Sequence, residues 1–132
     1  MTETVFRIAE TRDDLARCQQ LLLTNGYEEV ALTIPSIMAL REGHLVGLLG
    51  TQNRSDGIIA GPLVIDLPGD NPVFLVFQLL ELYDNAMRHL GVAFYNFAVE
   101  EQNTKNLEYV ERALGINPIA HKDGFVWFKR EL

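Results

Sequence analysis

Residues 57–77 read "GIIAGPLVIDLPGDNPVFLVF". An apolar run, a short polar loop and the start of a long helical pattern follow without a break. Gly57 to Leu67 is apolar at both alternations, which predicts a strand covered on both sides and so central in its sheet. Pro62 inside it cannot donate to a ladder, and predicts a bulge or an interruption. Asn71 suits a helix N-cap and Pro72 the first helical position, where a missing N–H costs least. The apolar pattern then runs to about Leu90, and Gly91 ends it. A strand, a tight loop and a helix in this order commonly cradle a phosphate on the first helical amides. Here that loop holds Asp70 and is followed by Phe74.

Upstream, Val5 to Ala9 alternates as a strand does. Thr11 caps the next segment, with Asp14 three residues later as an acidic capping box. Leu15, Cys18, Leu21 and Leu22 form a helical stripe to about Thr24, and Asn25-Gly26 closes it. Residues 27–35 read as irregular around one helical turn. Ser36–Arg41 and His44–Gln52 form a hairpin about Glu42-Gly43. Downstream, Val92–Val99 is a strand and Lys105–Leu114 a helix closed by Gly115. A last hairpin turns at Lys122-Asp123-Gly124.

This order predicts one α/β (α+β) domain over residues 1–132. Its sheet is mixed and largely antiparallel, with a central β-α-β crossover and helices on both faces. On the long helix, Val73, Phe77, Leu80, Met87 and Leu90 form the expected core face, with Val76 and Tyr83 beside it. Phe74, Leu75, Leu79 and Leu82 widen the apolar surface beyond one stripe, so the helix is either covered on two sides or part of an oligomer interface.

The bulk numbers narrow the function. The chain has 132 residues, 48% of them hydrophobic and 22% charged, as a globular domain of this size requires. The net charge of −7 repels phosphate backbones, and the basic residues are scattered, so nucleic acid is not an expected partner. One cysteine, Cys18, excludes an internal disulfide and reads as a buried apolar residue in a helix. His44, His89 and His121 lack metal-ligand spacing. No apolar run is long enough to span a membrane, and the N-terminus has no signal-peptide pattern, so the expected location is the cytoplasm.

The element order, together with "REGHLVGLLG" (41–50) and "VEEQNTKNLEYVERALGI" (99–116), resembles the GNAT superfamily of acetyl-CoA-dependent N-acetyltransferases. Gly43, Val46-Gly47 and Leu114-Gly115-Ile116 fit the family's pattern at those places. The resemblance implies an acyl-CoA-dependent N-acyltransferase whose cofactor is acetyl-CoA or another acyl-CoA. Its acceptor would be a small-molecule or peptide amine. The cofactor would run along Ile65, Asp66 and Leu67, meet Asn71 and Val73 at the helix start, and reach Asn103. From the sequence itself, Asn103 reads first as the cap of the following helix and second as a ligand contact.

The family's pyrophosphate loop reads "P-x-x-[QR]-G-x-G-x-[GA]". Set on Pro68, it puts Asn71 at the Gln/Arg position, Pro72 and Phe74 at the glycines and Val76 at the small residue. Pro72 removes a donor, Phe74 adds bulk, and Asp70 adds negative charge where an anion should sit. At an effective dielectric near 20, one such charge pair at ~5 Å costs about 3 kcal/mol. The loop is therefore degenerate, and a dimeric, non-catalytic binding or assembly module on the same scaffold is the alternative.

Transfer to an amine needs a base for the ammonium proton and an acid for the leaving thiolate. Asp66 and Glu100, at the ends of two neighbouring strands, are the candidate bases. The family's acidic tyrosine falls on Glu111, which reads as a solvated helix residue. Tyr109, two positions earlier, faces another way. Phe125, Trp127 and Phe128 on the last strand read as sheet packing or as part of a homodimer interface.

Overall fold

The computed structural model describes residues 3–55, 57–67 and 73–132. Ten elements follow in chain order: β1 (Thr4–Ile8), α1 (Arg12–Thr24), β2 (Thr33–Arg41), β3 (His44–Arg54), β4 (Gly57–Ile65), α2 (Val73–His89), β5 (Phe94–Glu100), α3 (Thr104–Arg112), β6 (Pro118–Lys122) and β7 (Phe125–Glu131). The strands form one seven-stranded sheet in the order β1-β2-β3-β4-β5-β7-β6. All neighbours are antiparallel except β4 and β5, which α2 joins as a parallel crossover. The run from residue 57 is the middle strand, as its two-sided apolar pattern predicts.

Helix α1 starts where the capping box places it. The Thr11 hydroxyl accepts from the Asp14 amide at 3.1 Å, and the Asp14 carboxylate accepts from the Thr11 amide at 3.3 Å. Gly26, at φ 85°, turns the chain out of the helix in a conformation that costs glycine little. Residues 27–32 depart from the expectation, for no helical turn forms there. The Val30 amide donates to the Gln19 side chain, and the Gln19 amide donates to the Val30 carbonyl. Both backbone groups of Val30 are thus satisfied by a side chain of α1 and not by a helical bond.

Two helices cover opposite faces. Cys18, Leu21 and Leu22 of α1 pack with Met38, Leu40, Leu48 and Val64. Leu75, Leu79, Tyr83 and Met87 of α2 pack with Ile37, Ala39, Leu49, Ala60 and Tyr95. Residues 37 to 40 alternate between the two sets, so one strand feeds both cores. Helix α3 adds Val110 against Val126 and Phe128. Phe97 packs in both this cluster and the α2 cluster, so α3 shares the α2 face.

The α2 face differs from the sequence reading. The buried stripe is 75, 79, 83 and 87, whereas Phe77 and Leu90 are 43% and 60% exposed. Phe77 lies about 200° around the helix from Leu75. Its ring meets Tyr109 of α3 edge-on, with centroids 5.2 Å apart. Leu75 and Leu79, read as surplus apolar surface, belong to the core.

Among the described residues, no helix is long and apolar enough to cross a membrane.

Candidate functional site

The site originates in Pro62. Between the pairs Leu49↔Leu63 and Thr51↔Ala60, β4 advances one residue more than β3. The surplus lies at Gly61-Pro62, with Gly61 at φ 134°, a value that only glycine adopts easily. Such a bulge bends its strand and raises its twist. Beyond it, β4 stays with β3: Ile65 pairs with Gly47, and the Asp66 amide donates to the Val46 carbonyl at 2.8 Å. Strand β5 stays with β7 along its whole length, from Phe94↔Glu131 to Glu100↔Phe125. The register between β4 and β5 is a single pair, Ile59↔Asn96. The sheet therefore splits at its only parallel junction, with α2 entering beside the split.

Beyond Ile59↔Asn96 the described residues show no further register pair between β4 and β5, and backbone N–H and C=O groups left without a sheet partner require another one. Leu63 of β4 is exposed there, and Ile65 is half-buried. The described residues thus place apolar side chains of β4 beside the divergence of the two strands.

No protein-family model matches the sequence, and no curated protein matches it. Solved structures do. The PaiA N-acetyltransferase of Thermoplasma acidophilum, in complex with coenzyme A, superposes with a TM-score of 0.73 at 11% identity, over 98% of this chain and 99% of that one. An acyl-CoA N-acyltransferase from Pseudomonas aeruginosa gives 0.70 at 18% identity, over 98% and 99%. The fold is that of the GNAT N-acetyltransferases. The diaminobutyrate acetyltransferase of Paenibacillus lautus, solved with coenzyme A and its diamine substrate, gives 0.69 at 16% identity, over 99% and 96%.

Within this GNAT fold the expected site residues fall unevenly. Asp66 and Glu100 are both exposed, at the ends of β4 and β5. Asp66 lies seven residues beyond the Ile59↔Asn96 pair and Glu100 only four. One of those seven β4 residues is the surplus at Gly61-Pro62, so at about 3.3 Å per residue the two stand roughly 7 Å apart along the strands, and they do not form a carboxylate pair. Asp66 accepts from the Asn25 amide nitrogen at 3.5 Å, which ties it to the end of α1. Ile65 and Leu67 pack against the α2 core. Asn103 caps α3, its side chain accepting from the Asn106 amide at 3.2 Å. Val73 opens α2. Asn71 and the rest of the 68–72 loop lie outside the described residues, while Phe74, just inside α2, is 73% exposed.

The acid position follows the sequence reading. Glu111 is exposed. Tyr109 turns towards α2, and its hydroxyl is buried without a partner among the described residues. Burial holds that phenol above its usual pKa, partly offset by the Arg130 charge. Cys18 is fully buried, and burial pushes its thiol up to about 11, as befits a core residue. No group of His, Cys, Asp and Glu among the described residues could hold a metal ion.

A buried polar brace behind the opening was missed in the sequence. The Tyr83 hydroxyl shares a hydrogen bond of 2.7 Å with Thr51 of β3, and Thr51 in turn donates to the Pro35 carbonyl. Asp84 accepts from Tyr95 of β5 at 2.6 Å and from Arg130 of β7 at 3.1 Å. Burial raises both tyrosine pKa values, and for Tyr95 the Asp84 carboxylate raises it further. The available signal was Asp84 itself, an acid on the inward side of an apolar helix.

Proposed function

We propose that this protein is an acyl-CoA-dependent N-acyltransferase that receives its acyl-CoA in the opening between β4 and β5 and works in the cytoplasm. The observation that carries this reading is the split sheet. A thioester arm containing amides can lie in the opening and satisfy strand groups left without a sheet partner, which water does less selectively. Exposed Leu63 supplies apolar contact for the arm's methylenes. Glu100, on the β5 lip, would take the proton from an attacking ammonium, directly or through one water. Asp66 is the other base of this reading, and Asn25 holds it in place. CoA itself would supply the thioester and a thiolate leaving group.

A second reading has its own support. Asp70, Pro72 and Phe74 oppose a pyrophosphate, and the acid position holds an exposed glutamate. These features favour a scaffold that binds without transferring an acyl group. The two readings separate on one experiment. Acetyl-CoA at a hundred times its Kd stabilises a working site by about 2.7 kcal/mol, which raises the melting temperature by several degrees. A flat melting temperature at millimolar acetyl-CoA supports the non-catalytic reading instead.

A further inference from the structure

The sheet has two outer edges, and only one is protected. At β6, Pro118, a register shift beside it and Lys122 all oppose strand addition. At β1 the sequence is Thr-Val-Phe-Arg-Ile, rich in β-branched and aromatic residues, with no proline, lysine or bulge. The Ala9 amide donates to the Ser36 carbonyl at 2.8 Å, which fixes the alternation along the strand. Counting back from this bonded pair, Arg7 and Val5 bond to β2, while Thr4, Phe6 and Ile8 direct their N–H and C=O groups outward.

We propose that β1 is the homodimer interface, pairing antiparallel with the β1 of a second copy so that Val5 sits on the two-fold axis. Outward-facing residues must oppose one another for the bonds to form, which allows few registers. Centring on Arg7 would place two guanidinium groups face to face. Centring on Phe6 leaves Arg7 opposite the partner's Val5. Centring on Val5 bonds Thr4 to the partner's Phe6 and sets Glu3 opposite the partner's Arg7, twice by symmetry. Arg7 can serve both acids. It gives Nη1 and Nη2 to Asp14 at 3.0 and 2.7 Å, and its side chain is still 45% exposed. Glu3 is exposed, as this pairing requires.

A strand this short buries too little alone, since stable interfaces cover about 1,200–2,000 Å². The surface beside it supplies more. A groove of about 490 Å³ runs along β1 on the α2 side, lined by the exposed apolar residues Ile8, Ile34, Leu82 and Leu90. Val5 itself is 56% exposed on the other face.

The test uses the full chain. Sedimentation equilibrium across a concentration series gives a dimer for the native sequence. Val5→Lys sets two ammonium groups on the axis and weakens association about tenfold or more, with unchanged circular dichroism because Val5 is not in the core. Val5→Cys forms an intermolecular disulfide under mild oxidation, since the non-bonded pair on the axis brings the Cα atoms to about 4.5 Å. Ile119→Cys on β6 does not. A monomer at all concentrations, a Val5→Lys protein that dimerises as before, or cross-linking through Ile119→Cys or Phe6→Cys in place of Val5→Cys overturns the proposal.

Discussion

Tyr83 and Asp84 are neighbours on α2, yet they bind opposite halves of the sheet. Tyr83 reaches Thr51 on β3, and Asp84 reaches Tyr95 on β5 and Arg130 on β7. Among the described residues Ile59↔Asn96 is the one register pair between β4 and β5, so the ladder there adds little to holding the halves together. Helix α2 spans the gap, and these two side chains are its polar ties. The width of the opening is thus set from behind.

The ties differ in strength. Asp84→Ala leaves the Arg130 charge and the Tyr95 hydroxyl without their shared partner. Removing one member of a buried ion pair costs about 3 kcal/mol or more. Tyr83→Phe removes one neutral bond, while Thr51 keeps its bond to Pro35, so the cost is about 1 kcal/mol. Urea denaturation of both variants measures the difference. Equal losses would mean that the ion pair carries no special weight.

The Arg7–Asp14 pair gives a pH dependence with a definite sign. The Arg7 guanidinium, aided by the Glu10 amide, lowers the Asp14 carboxyl from its ordinary 3.8 to about 2. The folded state therefore favours the ionised form. That stabilisation is fully present above about pH 4 and is lost as the pH falls towards 2. Asp14→Asn lacks it at every pH. The gap in melting temperature between the native protein and this variant should be constant near neutrality and should narrow between pH 4 and 2. A gap that does not change with pH would remove the ion pair from the account.

Tyr109 offers a substitution expected to stabilise. Its hydroxyl is buried and has no partner among the described residues, while its ring packs on Phe77. Tyr109→Phe keeps the ring contact and removes a desolvated polar group, for a gain of about 1 kcal/mol. The same variant bears on chemistry. If acyl transfer is detected and survives Tyr109→Phe, this phenol is not the acid.

Much of this was legible in the sequence because the signals were local. Thr11 with Asp14, Asn25-Gly26 and Gly91 mark helix ends through chemistry within one turn, and each end is found where those residues put it. Pro62 declares its bulge because it has no N–H to give. The errors came where tertiary partners decide. Nothing near Phe77 says that Tyr109, far along the chain, will hold it at the helix flank. Gln19 bonding Val30 replaced a helical turn in the same way. The site divides on the same principle. Pro62 announces the interruption in β4, but not the split between β4 and β5. The brace behind it joins residues 51, 83, 84, 95 and 130, which no periodicity connects.

Asp70 precedes α2 by three residues in the sequence, and a negative charge near a helix start disfavours an anion drawn to the first amides. Screening by solvent reduces the bare Coulomb penalty, leaving roughly a tenfold effect on affinity. Phe74 is 73% exposed in the first turn, so Phe74→Ala leaves the core intact while removing a bulky group from the approach. Isothermal titration with acetyl-CoA should therefore show Asp70→Asn binding about tenfold more tightly than the native chain. Phe74→Ala should also bind more tightly, and the double variant most tightly of all. Charge and bulk act on different parts of the cofactor, so the two gains should add. If neither change alters the titration and none of the proteins binds, the obstacle does not lie in these two residues, and the non-catalytic reading gains the support that the acyltransferase reading loses.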